Sequence, residues 1–136
     1  MGLETIGDGL ATRLKTISGL RVYAPKELKD SLSQFPCALI LPGETTYKIE
    51  FSSTFSSYTF RILLLFTKQD QPSAINKMLD YIEVTGDYSV VAAIYGDSTL
   101  GGAADDCIVR RNLGIGGITW GGYVYLGTEF EVEVWA

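Results

Sequence analysis

A chain of 136 residues is the usual size of one domain, and 46% hydrophobic with 20% charged residues excludes wholesale disorder. The formal charge of -5 argues against nucleic-acid coating, which needs lysines and arginines to displace counterions from phosphates. Histidine is absent, so the commonest general base and the commonest metal ligand are both missing.

The two cysteines, Cys37 and Cys107, stand far apart in apolar surroundings and are expected as reduced, buried thiols. Met1 to Leu10 carries Glu4 and Asp8 and lacks the basic start and apolar run of a secretion signal. No segment approaches the roughly 20 apolar residues of a membrane span. Synthesis in the cytoplasm, without a membrane partner, is the expectation.

Leu3, Ile6, Leu10, Leu14 and Ile17 recur at steps of three and four, the stripe of an amphipathic helix that Ser18-Gly19 ends. Leu20 to Tyr23 then reads as a short strand, and Pro25 to Ser33 as a polar, lysine-rich surface segment. Cys37 to Leu41 is an apolar run between Pro36 and Pro42-Gly43, which predicts a buried strand. A long hairpin follows. In its first arm Thr45, Tyr47, Ile49 and Phe51 face one way, while Glu44, Thr46, Lys48 and Glu50 face the other. The second arm runs from near Ser57 to Phe66 and turns wholly apolar from Ile62, as a strand covered on both faces does. Ser52 to Ser56 connects the arms, with Phe55 in this serine-rich turn.

Pro72 opens a second helix with Ile75, Met78, Leu79 and Ile82 inward, since proline suits a first turn whose N–H has no partner anyway. Gly86 closes it. A third helix is expected from about Tyr88 to Tyr95, then a polar loop from Gly96 to Asp105. Asp106 to Arg111 reads as a strand and Asn112 to Gly122 as a glycine-rich loop containing Trp120. From Tyr123 to Val134 the even positions are Val124, Leu126, Thr128, Phe130, Val132 and Val134. The odd ones end in Glu129, Glu131 and Glu133. Parity holds across Gly127, so one long strand is expected, with one face in the core. The whole predicts a single α+β domain over 1–136: a mostly antiparallel sheet with a long hairpin and about three helices packed on one side.

Chemistry is sparse. The glutamate stripe would space carboxylates about 7 Å apart, but a solvated or partner-facing strand is the simpler reading. Gly114 to Gly122 lacks the lysine followed by Ser or Thr of a phosphate loop and leads into a strand, not a helix. No catalytic, cofactor-binding or metal-binding residue is therefore assigned, and no enzymatic activity is expected. Candidate contact residues are Tyr47, Ile49, Phe51 and Phe55 in the hairpin, Trp120, and the basic pair Arg110 and Arg111. Trp120 suits a contact surface or a ring folded back over the core. The arginines suit an ion pair, within the chain or between subunits.

Several segments together resemble the tail terminators and related tail-completion (neck) proteins of long-tailed bacteriophages. They are the helix followed by "ISGLRVYAPKELKDSLSQFPCALILPG", the central "TG-x-x-SV-x-x-AI" and "D-x-TLGG-x-x-D" patterns, and the closing "GGYVYLGTEFEVEVW". The likeness runs along nearly the whole chain as element order and soft motifs. It implies a structural virion protein that forms a ring, commonly of six copies, at the head-proximal end of the tail tube. Such a ring stops tube polymerisation and joins the tail to the head–tail connector or head-closure protein. DNA then passes through without specific binding, which makes Glu129, Glu131 and Glu133 candidates for the channel wall. Head-closure, adaptor or tail-tube-associated roles in the same particle, and a small ligand-binding α/β domain, are the alternatives.

Overall fold

The structure is a computed structural model that describes residues 2–47, 56–67 and 72–136. Helix α1 (Leu3–Leu14) buries Ile6, Leu10, Ala11 and Leu14 on one stripe, as the sequence periodicity predicts. It ends one turn before Ile17, which is buried just beyond the helix. Strand β1 (Arg21–Tyr23) lies parallel to β2 (Cys37–Thr46), and β2 runs antiparallel to β3 (Ser57–Thr67). Helix α2 (Pro72–Ile82) and the six-residue α3 (Val90–Tyr95) precede β4 (Asp106–Trp120) and β5 (Tyr123–Trp135). Five strands form one sheet in the order β1-β2-β3-β5-β4, in which only the β1–β2 pair is parallel. The fold is α+β, and no helix among the described residues is long and apolar enough to cross a membrane.

The two faces of the sheet follow from alternation. Phe60, Ile62 and Leu64 of β3 share one buried cluster with Phe130, Val132 and Val134 of β5, and α1, α2 and α3 cover that cluster. On the opposite face Leu39, Leu63, Leu65 and Tyr125 form a smaller cluster under Leu28, Leu32 and Phe35 of the segment between β1 and β2. Ile62 to Phe66 is buried throughout, as an apolar run covered on both faces requires. Both cysteines are free and buried, Cys37 in the smaller cluster and Cys107 in the larger.

Leu79, expected on the inner side of α2, is 50% exposed, and Met78 is the fully buried residue of that face. Two further expectations need correction. The glycine-rich stretch Asn112 to Gly122 is not a loop: β4 continues through it to Trp120, in register with β5. Glycine weakens an isolated strand, but here a long antiparallel partner supplies the ladder. Irregularities between Val109 and Arg111, and between Asn112 and Ile115, absorb the extra residues. Among the described residues the longest hairpin is therefore β4–β5, closed by Gly121 and Gly122, both at positive φ (58° and 85°) as the favoured two-residue turn demands. The second correction is smaller. Helix α3 starts at Val90, not Tyr88, because the Ser89 hydroxyl accepts from the Ala92 N–H and fixes the N-cap there.

Gly121 is doubly constrained, since a Cβ built on it would lie 1.9 Å from the Asp30 carbonyl oxygen. Gly122 has open space around it. Gly122→Ala is therefore expected to lose about 1 kcal/mol through its left-handed backbone alone. Gly121→Ala should lose at least about twice that, because the Asp30 segment must also move. Urea denaturation of the two variants checks the order, and equal losses would refute the close approach.

Candidate functional site

On the face of the sheet away from the helices, the outer half of β5 presents Glu129, Glu131 and Glu133. Alternation places them together, and the neighbouring strands supply their partners. Arg61 of β3 grips Glu129 with two hydrogen bonds, Nε to Oε2 at 3.1 Å and a terminal nitrogen to Oε1 at 2.9 Å. Arg111 Nε meets Glu131 Oε2 at 2.7 Å. Arg110 bonds Glu133 Oε1 through Nε at 2.7 Å, and its guanidinium lies over the Trp135 ring at 5.5 Å from the centroid. The Ser57 hydroxyl donates to the other Glu133 oxygen at 2.7 Å. The result is a ladder of three carboxylates and three guanidiniums that ties β5 to both neighbours. Each pair is partly solvated, which limits its worth to about 1 kcal/mol or less.

The irregularity between Val109 and Arg111 lets the consecutive Arg110 and Arg111 both reach this face instead of diverging. Their partners lie within the chain. The charge they neutralise leaves the ladder formally balanced, so the glutamates bring no net negative charge to that surface. The negative excess of the chain lies elsewhere: Asp80, Glu83, Asp87, Asp97, Asp105 and Asp106 fall between Lys77 and Arg110 with no basic residue among them.

Trp120 is half-buried beside the smaller core cluster, and its indole N–H donates to the Lys29 carbonyl at 2.6 Å. The ring is folded back onto the segment between β1 and β2. Tyr47, just past β2, is 77% exposed. Ile49, Phe51 and Phe55 lie outside the described residues.

Sequence inspection missed one polar assembly. Thr128 is 1% exposed within the apolar stripe of β5. Its hydroxyl accepts from Asn112 Nδ2 at 2.8 Å and donates to the Gly114 carbonyl at 2.6 Å. Asn112 Oδ1 in turn accepts from the Gly114 N–H at 2.9 Å, so side chains stitch the irregular part of β4. A threonine in an otherwise apolar register was the available signal.

Comparison with known proteins finds no matching family model and no curated protein with significant similarity. Among the described residues no group of three or more carboxylate or thiol side chains is arranged to hold a metal ion. A groove of about 360 Å³ lined by Ser18, Pro36, Phe66, Lys77, Tyr81 and Tyr88 opens broadly to solvent. Its wall is aromatic, with Phe66 edge-on to Tyr81 at 5.1 Å and Tyr88 tilted against Tyr81 at 5.6 Å. The geometry offers a sheet cross-braced on one face, with exposed surfaces at its margins.

The Glu133 carboxyl is held below its ordinary value of 4.5, first by the Ser57 hydroxyl and then by Arg110. A carboxylate so depressed stabilises the fold above its unfolded pKa, and that contribution fades as pH falls through the folded value. Ser57→Ala should therefore raise the Glu133 pKa and remove part of the stability loss seen on acidification below about pH 4.5. Carboxyl-resolved NMR titration of both proteins checks it. An unchanged Glu133 titration would show that the hydroxyl does not hold the carboxylate.

Proposed function

We propose that the chain is a structural assembly protein of the tail-terminator kind. It forms a ring of about six copies on the head-proximal end of a phage tail tube and presents a surface to the head–tail connector. The observation that carries this reading is the agreement between the resembling segments and discrete elements. The opening stripe is α1 and "RVY" is β1. The apolar run after Pro36 begins β2, and "TG-x-x-SV-x-x-AI" leads into α3 with Ser89 as its cap. "D-x-TLGG" holds a turn in which the Asp97 carboxylate accepts from the Thr99 and Gly101 N–H groups. The closing segment is β5.

Mechanically, a ring subunit must keep its shape while tube, connector and neighbours load it. A sheet with a core on both faces, cross-braced by the Arg–Glu ladder, suits that demand. DNA transit requires a wall that repels phosphate without holding it. The balanced ladder does not provide such a wall as it stands. We place it on the acid-rich stretch from Asp80 to Asp106, with Glu129, Glu131 and Glu133 acting as braces.

Light scattering over a concentration series, with and without tail tubes, followed by electron microscopy, tests the reading. Closed rings, in solution or only on tube ends, are the expected result. A mass that no tube or concentration changes, with no density at tube ends, would overturn it. Phe51→Asp with Phe55→Asp should weaken ring assembly while circular dichroism stays native, because the sequence offers these two aromatic residues as contacts in the segment between β2 and β3. A ring unaffected by that pair of changes would remove the connection from the interface.

A further inference from the structure

β4 is an edge strand, and its outer side is treated differently along its length. Near its start the outward N–H groups already have partners. The Cys107 N–H donates to Asp106 Oδ1 and the Val109 N–H to the Tyr95 hydroxyl, each at 2.9 Å. At the second irregularity the Gly114 N–H is taken by Asn112. Such capping is how edge strands are kept from pairing with other chains.

Beyond Gly114 the situation changes. The two-residue turn makes Trp120 and Tyr123 a hydrogen-bonded pair, so alternation makes Ile118–Tyr125 and Gly116–Gly127 bonded pairs as well. Ile115, Gly117 and Thr119 consequently aim their N–H and C=O groups outward. No side chain between Asn112 and Trp120 is charged. The helix layer thins toward the turn: Ile115 and Leu126 still pack against the larger cluster, whereas Val124, on the helix-side register of β5, is 61% exposed and the neighbouring Tyr123 is 52% exposed.

We propose that this stretch of β4 pairs antiparallel with the same stretch of a second copy, centred on Gly117, so that two sheets join edge to edge. The register is selected by the strand itself. Pairing Gly117 with Gly117 sets Ile115 against Thr119 and Thr119 against Ile115, using all three outward residues of each copy in reciprocal hydrogen bonds. A shift of two residues leaves an outward residue unpaired in each strand. On the other face the same register sets the bare Gly116 against Ile118, so a large side chain lies over a small one.

Charge favours the same partner. Two chains of net charge -5 repel, but the strand stretch along which they meet, 113–119, carries no charged side chain. Asp105 and Asp106, at the opposite end of β4, are carried more than about 30 Å from the pairing centre, well past a screening length. A strongly charged foreign strand finds nothing complementary on this edge. The proposal does not rest on the ring reading. A two-fold contact closes with two copies, whereas a ring grows through a head-to-tail contact elsewhere on the surface.

Two variants test it. Proline at 119 removes an outward N–H that β5 does not use, so Thr119→Pro should leave the hairpin and the circular dichroism intact. It should weaken two-copy association by at least about tenfold in sedimentation equilibrium. Gly117→Cys should give a disulfide-linked dimer under mild oxidation, because Gly117 of the two copies face each other across the new seam. Burial pushes the native thiols up, to about 12 for Cys37 and about 11 for Cys107, so the introduced thiol is the reactive one. Val84→Cys, on a 70% exposed site just after α2 and outside the strand, is the control and should stay monomeric. A wild-type chain that remains monomeric throughout overturns the proposal. So does a folded Thr119→Pro protein with undiminished two-copy association, or a Gly117→Cys protein that cross-links no faster than the control. Rings that persist in Thr119→Pro would support the ring reading while leaving edge pairing to stand or fall on the two-copy equilibrium. If Thr119→Pro does not fold, the cross-linking comparison decides alone.

Discussion

The parity of β5 governs this molecule. Its even positions carry Phe130, Val132 and Val134 into the core beneath the helices, and its odd positions carry Glu129, Glu131 and Glu133 to the open face. A slip of one residue would exchange the two sets, burying three carboxylates without their arginines and exposing three large apolar side chains. Each consequence would cost several kcal/mol, and the two together rival the roughly 5–15 kcal/mol by which a domain is stable. Register in β3 and β4 follows from β5, because each neighbour contributes apolar partners on one face and arginines on the other.

That constraint also explains the distribution of polar devices. Where β4 keeps step with β5, little side-chain help is needed. Where it loses step, near Arg110 and again between Asn112 and Ile115, polar side chains repair the ladder. The first irregularity turns two consecutive arginines toward one face. The second is held by Asn112 and the buried Thr128, whose hydroxyl satisfies groups that the displaced strand leaves unpaired. The same strand is capped along its first half and open along its second. One sheet thus combines a protected edge with an available one.

The open face of the sheet carries balanced charge, and the negative excess lies in the stretch from Asp80 to Asp106. The braces lie on the strands, and the excess charge lies between Lys77 and Arg110, on α2, the turns and the first residue of β4.

Local pattern was enough for much of the architecture. The three- and four-residue steps of α1, the apolar run of β3 and the alternation of β5 are each written in neighbouring residues, and each formed as expected. Ser89 as a cap and Gly121-Gly122 as a turn are likewise local chemistry, though the helix boundary and the turn type were not drawn from them. What the sequence could not decide was anything that depends on a partner distant in the chain. Glycines 114, 116 and 117 look like a loop in isolation and become a strand only because β5 lies beside them. Glu129, Glu131 and Glu133 look like an acidic stripe until Arg61, Arg110 and Arg111 arrive from two other strands. Trp120 had two equal fates until the Lys29 carbonyl, 91 residues away, claimed its N–H. Periodicity is a property of neighbours, but charge balance, hydrogen-bond satisfaction and edge exposure belong to the assembled sheet.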